Sequence, residues 1–121
     1  MTLKTHWMLR CVVLLGLLAS APVRGEGYPS RAITIVVSLA AGSGMDAITR
    51  LYAEKLSEAF GKPVIVENKP GAATTLAANQ VAKATPDGYT LVVLTSIALA
   101  INPTLFKHLN YHPQDFTPIS M

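Results

Sequence analysis

Beyond its first 25 residues this chain has no cysteine: the single one, Cys11, lies in the amino-terminal leader. Disulfides, thiol nucleophiles and cysteine-ligated metal sites are therefore excluded from the remainder. Charge is also sparse, at 14% of residues, and it is balanced once the leader is set aside. Of ten Lys and Arg, three (Lys4, Arg10 and Arg24) belong to that leader, which leaves seven basic against seven acidic residues. No Lys/Arg cluster remains, so the footprint of a nucleic-acid binder is missing. After the leader no apolar run approaches the roughly 20 residues a spanning helix needs, and there is no repeat or low-complexity tract. His108 and His112 flank Tyr111 without a Glu or Cys partner, so they do not form a metal-ligand set. No Ser-His-Asp or paired-carboxylate arrangement is discernible, so neither catalysis nor a cofactor is expected.

What is present begins with the leader itself. Lys4 and Arg10 precede the apolar block "CVVLLGLLASA", Cys11 to Ala21, which ends in small residues. That is the form of a secretory signal peptide. Ala19-Ser20-Ala21 is followed by Pro22, a poor residue just past a cut, so Val23-Arg24-Gly25 before Glu26 is the preferred junction. Cys11 opens the apolar block rather than following it, so it is not placed as a lipoprotein cysteine. The reading is a signal peptide over 1–25 and an exported, soluble, monomeric protein from 26 to 121, in the periplasm. The 96 residues after position 25 suffice for one small core. They stop at "DFTPISM", where Thr117 to Met121 has the pattern of a strand just opening. The chain thus reads as the start of a longer one, with apolar surface left exposed.

Between these ends strand and helix patterns alternate. Ala32 to Leu39 is a continuous apolar, largely β-branched run, as in a strand buried on both faces of a parallel sheet. Ser43-x-x-Asp46 has the form of a capping box, and Ile48, Leu51, Tyr52, Leu56, Ala59 and Phe60 then share one helical face. Arg50 with Glu54, and Glu58 with Lys62, are spaced as surface pairs. Gly61 and Pro63 end that helix. "PVIVE", Pro63 to Glu67, is a second strand; a second helix runs from Thr74 or Thr75 to Ala84 with Ala77, Val81 and Ala84 inward. Thr85-Pro86-Asp87-Gly88 is a turn, and "YTLVVL", Tyr89 to Leu94, is a third strand. The order predicts an α/β, doubly wound parallel sheet.

Ligands of such sheets bind beyond the carboxyl ends of the strands. The loops there are "AAGSGMD", "NKPGAAT" and "TSIALAINP", rich in glycine, small residues and hydroxyls and nearly free of cations. They suit recognition by backbone N–H groups and hydroxyls, with a helix amino terminus to balance one negative charge. Gly42-x-Gly44-x-x-Ala47, with Glu67 twenty residues after Ala47, also fits a dinucleotide fingerprint, so a Rossmann-like oxidoreductase fragment is the alternative. An export signal, the acidic Asp46 in the first helical turn and the absence of a nearby Lys or Arg weigh against it. A small carboxylate is favoured over a phosphate.

Four stretches carry a resemblance: "YPSRAI", the glycine loop ending in Asp46, "VENKPGA", and "PDGYTL" followed by "INP" and "DFTPIS". In that order they resemble the opening of the Bug family, the extracytoplasmic solute receptors of tripartite tricarboxylate transporters. The resemblance implies a periplasmic-binding-protein-like fold of type II, with this chain as an incomplete first lobe. It also implies a small organic acid as ligand (a di- or tricarboxylate, an aromatic acid or an amino acid) and a membrane permease as partner. A truncated receptor without function is a further alternative. Carried over by position, the binding residues are Gly42, Ser43, Gly44 and Asp46, then Gly71 and Ala72, then Thr95 and Ser96. Ala41 stands where the family usually has proline, Ser43 where it has glycine, and Ala73 and Thr74 where glycine or Asn is common. Ile97, Ala98 and Leu99 replace a stretch that often carries Gly, Thr and His. Ser43, Asp46, Thr95 and Ser96 also have a simpler role open to them, as helix caps, and Asn102 before Pro103 reads as a turn former.

Overall fold

The computed structural model describes residues 27–120; the leader and its cleavage junction lie outside them. Three parallel strands, β1 (Ile33–Val37), β2 (Val64–Asn68) and β3 (Thr90–Val93), pair in the order β2-β1-β3. Ile35 of β1 lies opposite both Val66 and Leu91. Ile33, Ile35, Val36 and Val37 are buried, as a β-branched run should be when both faces of a central parallel strand are covered. Helix α1 (Gly44–Phe60) links β1 to β2, and α2 (Thr75–Ala82) links β2 to β3. The chain leaves β1 toward one edge and returns past it to the other. With the right-handed crossovers that parallel β-α-β units adopt, this order places the two helices on opposite faces, with a topological switch point between β1 and β3.

Local signals set the boundaries of α1. Ser43 Oγ accepts the Asp46 N–H at 3.2 Å, and Gly61, at φ +61°, donates its N–H to Ser57 O at 3.0 Å. The face that α1 turns inward differs from the one its apolar periodicity predicts. Asp46, Thr49 and Ala53 are buried, whereas Ile48, Leu51 and Tyr52 are 60%, 59% and 64% exposed. Small and polar side chains let the helix lie close on the sheet, and the larger apolar stripe faces outward. The predicted surface pairs change as well: Arg50 pairs with Asp46 rather than Glu54, and Glu58 with Lys55 rather than Lys62. On α2 the expectation of close packing through small residues is met by Ala77 and Ala78, both fully buried.

At the amino ends of the strands two of the quoted stretches form one clasp. Tyr28 donates its hydroxyl to Gly88 O at 2.7 Å, and the Ser30 N–H reaches the Tyr89 hydroxyl at 2.8 Å. Arg31 pairs with Asp87 at 2.8 Å, and its guanidinium carbon lies 4.1 Å from the Tyr89 ring centre. The Tyr28 and Tyr89 rings pack with centroids 5.1 Å apart. Gly88, at φ +81°, makes the turn that this packing requires.

After β3 a π-helical turn, Ile97–Ile101, runs directly into α3 (Asn102–Leu105), and a short 3₁₀ turn, Pro113–Asp115, follows. The strand expected from Thr117 is not formed among the described residues: 117–120 are irregular and exposed. A strand needs an edge to complete its ladder, and this segment pairs with none of the three.

Candidate functional site

The three loops at the carboxyl ends of the strands are joined by hydrogen bonds between them. In the first, Asp46 is buried with both carboxylate oxygens in use. Oδ2 accepts the Gly42 N–H at 2.8 Å and Arg50 Nε at 3.0 Å, while Oδ1 accepts Asn68 Nδ2 at 2.9 Å and lies 3.0 Å from Arg50 Nη2. The Arg50 guanidinium, followed by the Gly42 and Asn68 donors, holds the carboxyl well below its ordinary value, from 3.8 to about 2. The capping box forms only in part. Ser43 caps the Asp46 N–H, but Asp46 reaches back to Gly42 rather than to Ser43, whose own N–H goes to Ala40 O. Asp46 therefore organises the loop from beneath and has no free oxygen to offer a ligand. Gly42 sits at φ +82° and its N–H is likewise committed. The donors left over are Gly44 and Met45, the first two N–H groups of α1, which have no acceptor within the helix.

Asn68 ends β2 and bridges the loops. Its Nδ2 donates to Leu39 O at 3.1 Å as well as to Asp46, and the next N–H, of Lys69, goes to Val37 O at 2.8 Å. Asn68 thus pins the first loop rather than the loop that follows it. That second loop has unusual backbone geometry. Gly71 stands at φ +122°, and Ala72, Ala73 and Thr74 follow at +46°, +50° and +69°. A left-handed residue other than glycine is uncommon, and holding one costs of order 1–3 kcal/mol. Three in succession form a tight 3₁₀ turn whose first residues are exposed, with the Thr74 N–H bonded to Gly71 O at 3.0 Å. Thr74 is itself 7% exposed, and its hydroxyl is buried without a partner.

In the third loop, Thr95 and Ser96 do not cap the helical turn that follows: no side-chain cap is made there, and the Thr95 Oγ1 atom is buried with no partner. The simpler role open to them on sequence grounds is not the one they take. Asn102, read as a turn former, is fully buried and donates Nδ2 to Ala73 O at 2.8 Å. A hydrogen-bonded path therefore runs from the first loop through Asn68, and from the second loop through Asn102 to the third. Of the expected site residues, Gly42, Ser43, Gly44, Gly71, Ala72, Thr95 and Ser96 are at least partly accessible, and Asp46 is not. Sequence reasoning missed Arg50, Thr74 and Asn102 as parts of the candidate site. Only Arg50, four residues after Asp46, carried a local signal.

The cavity of about 340 Å³ beside α2 is a different place. It is lined by Ala72, Leu76, Asn79, Phe106 and Tyr111 among others, and includes no other expected site residue. Among the described residues there is no group of His, Cys, Asp or Glu that would hold a metal ion, and no helix long and apolar enough to cross a membrane.

With this geometry in view, the similarities are specific. Residues 48–121 match the family described as tripartite tricarboxylate transporter family receptor. A UPF0065 protein of Bordetella bronchiseptica is 43% identical over 114 residues, covering 93% of this chain and 34% of that protein. MatC from Rhodopseudomonas palustris, solved with bound malate, superposes at a TM-score of 0.70 and 41% identity, over 76% of this chain and 32% of its own. R. palustris Rpa4515, solved with adipate, gives 0.68 at 34% identity, over 72% and 29%. The chain spans about a third of the length of the relatives it matches. Its sheet order, its loops and its match over residues 48–121 agree: the chain belongs to the tripartite tricarboxylate transporter receptor family.

Proposed function

We propose that this chain forms one wall of a periplasmic receptor that captures a small organic carboxylate and presents it to a membrane permease. The observation that carries the reading is a contrast within the three loops. Their backbone is braced by hydrogen bonds, yet the Thr74 and Thr95 hydroxyls are buried without partners, and Gly44 and Met45, at the open amino end of α1, have N–H groups with no acceptor in the helix. Buried hydroxyls are rarely left in that state. A carboxylate brings acceptors to such donors, and the amino terminus of α1 balances its charge. Malate in MatC and adipate in Rpa4515 are ligands of the same chemical class bound by relatives. A dinucleotide suits the site less well: its diphosphate would meet a turn where Arg50 is already paired with Asp46, and Glu67 lies 3.4 Å from Lys69.

The site described here supplies one side of a cleft, so affinity is expected to be weak, on the order of 1 mM, equivalent to about −4 kcal/mol. Titration of the isotopically labelled chain with malate, adipate, acetate and NAD, followed by amide shifts, tests the reading. Malate or adipate should move Gly44, Met45, Ala72 to Thr75 and Thr95. Shifts with NAD at those residues and none with any acid would overturn it.

A further inference from the structure

We propose that Asn102 is a positioning residue for the site: its buried amide holds the left-handed turn Ala72-Ala73-Thr74 in the shape that presents its backbone to the ligand. The inference rests on the carboxylate reading of these loops. Three consecutive non-glycine residues at positive φ persist only where the surroundings over-determine them. Asn102 supplies that constraint from 29 residues away, through Nδ2 to Ala73 O at 2.8 Å. A carbonyl only accepts, so the orientation of the amide is settled by its partner. The same Nδ2 lies 3.3 Å from the Tyr111 hydroxyl, which in turn donates to Ala98 O at 2.7 Å. Asn102 and Tyr111 are both buried, and Asn102 Oδ1 has no partner. An asparagine needed only to start α3 would have no reason to be buried with an unpaired oxygen. Here it ties the loop after β2 to the segment after β3, so that two walls of the site keep one spacing.

Replacing Asn102 by Leu keeps the branched four-atom side chain, with bulkier methyl ends, and removes the tether. In Asn102→Leu, amide hydrogen exchange at Thr74 and Thr75 should accelerate about tenfold or more, while Val36 in the central strand stays protected. The malate shifts described above should need about tenfold more ligand. Tyr111→Phe, which keeps the ring and loses only the hydroxyl, should move the same amides in the same direction by a smaller factor; it serves also if Asn102→Leu does not fold. The decisive variant is Ala73→Gly, because glycine adopts a positive φ without strain. Combined with Asn102→Leu it should recover most of the loop protection and malate response. Simple packing would instead give additive losses. Unchanged exchange at Thr74 in both Asn102→Leu and Tyr111→Phe would overturn the proposal, as would additivity with Ala73→Gly. If malate binds none of the proteins, the exchange data still decide the tether, and the carboxylate reading alone falls.

Discussion

The two ends of the same three-stranded sheet are built on opposite rules. At the amino ends, Tyr28, Ser30 and Arg31 meet Asp87, Gly88 and Tyr89, and the phenol, hydroxyl, guanidinium and carboxylate groups all find partners within the clasp. The Ser30 hydroxyl and N–H beside Tyr89 also hold that phenol below its ordinary range. At the carboxyl ends the loops carry no aromatic ring, the backbone turns left-handed through Ala72, Ala73 and Thr74, and two threonine hydroxyls remain unpaired. Both ends are rich in polar groups, so polarity does not separate them. The difference is whether the hydrogen-bonding capacity is closed within the protein. A closed set holds a fold together; an open one, braced from beneath, is available to something else.

Four measurements test that contrast. The largest effect is expected from Asp46→Ala, which strands the Arg50 charge and frees Gly42 and Asn68 at once. The malate response should disappear and exchange through residues 40–46 should rise by about tenfold or more, while the clasp amides hold. A normal malate response in that variant would show that the brace is dispensable. Acid probes the same brace. Because the Asp46 pKa is depressed in the folded chain, its contribution is fully present above the ordinary value of 3.8 and fades as pH falls through about 2. The Gly42 amide shift should therefore titrate with a midpoint close to 2; a midpoint near 4 would mean that Arg50 and Asn68 do not hold the carboxylate.

Thr95→Val separates holding a fold from binding. Removing a buried, unpartnered hydroxyl should leave thermal stability unchanged or raise it by up to about 1 kcal/mol, yet weaken malate severalfold. A loss in stability would place Thr95 with the closed set. The smallest change is expected at the other end: Tyr28→Phe deletes one hydrogen bond to Gly88 O and should cost about 1 kcal/mol of stability, with malate binding untouched. Any change in malate affinity there would show that the two ends communicate.

Much of this architecture was legible in the residues. The β-branched run of β1, the Ser43 and Gly61 helix signals and the Pro86-Asp87-Gly88 turn are local patterns with local causes, and the structure places elements where they indicate. The loops at the carboxyl ends of the strands were legible from their position after strands and their small residues. What was not legible depends on distance or on which face is used. Periodicity identified an apolar face on α1 but not which face meets the sheet, and Ile48, Leu51 and Tyr52 point outward. Asn68 holding Asp46 and Asn102 holding Ala73 are contacts across 22 and 29 residues, with no signature in either neighbourhood. The left-handed turn was invisible for a related reason. Alanine and threonine do not announce positive φ as glycine does, so the conformation is imposed by the surroundings.

The pairing of Asp46 with Arg50 has a kinetic consequence. A receptor that displays a bare cation draws anions in over a Debye length, about 10 Å at 0.1 M salt, and gathers every anion in solution along with the right one. Here the guanidinium beside the turn is neutralised from within at 3.0 Å. On the carboxylate reading proposed above, encounter is then without long-range steering. The association rate of an acid should accordingly change little as ionic strength rises, and on that reading selection among acids passes from charge to the fit of their oxygens against a handful of N–H and hydroxyl donors.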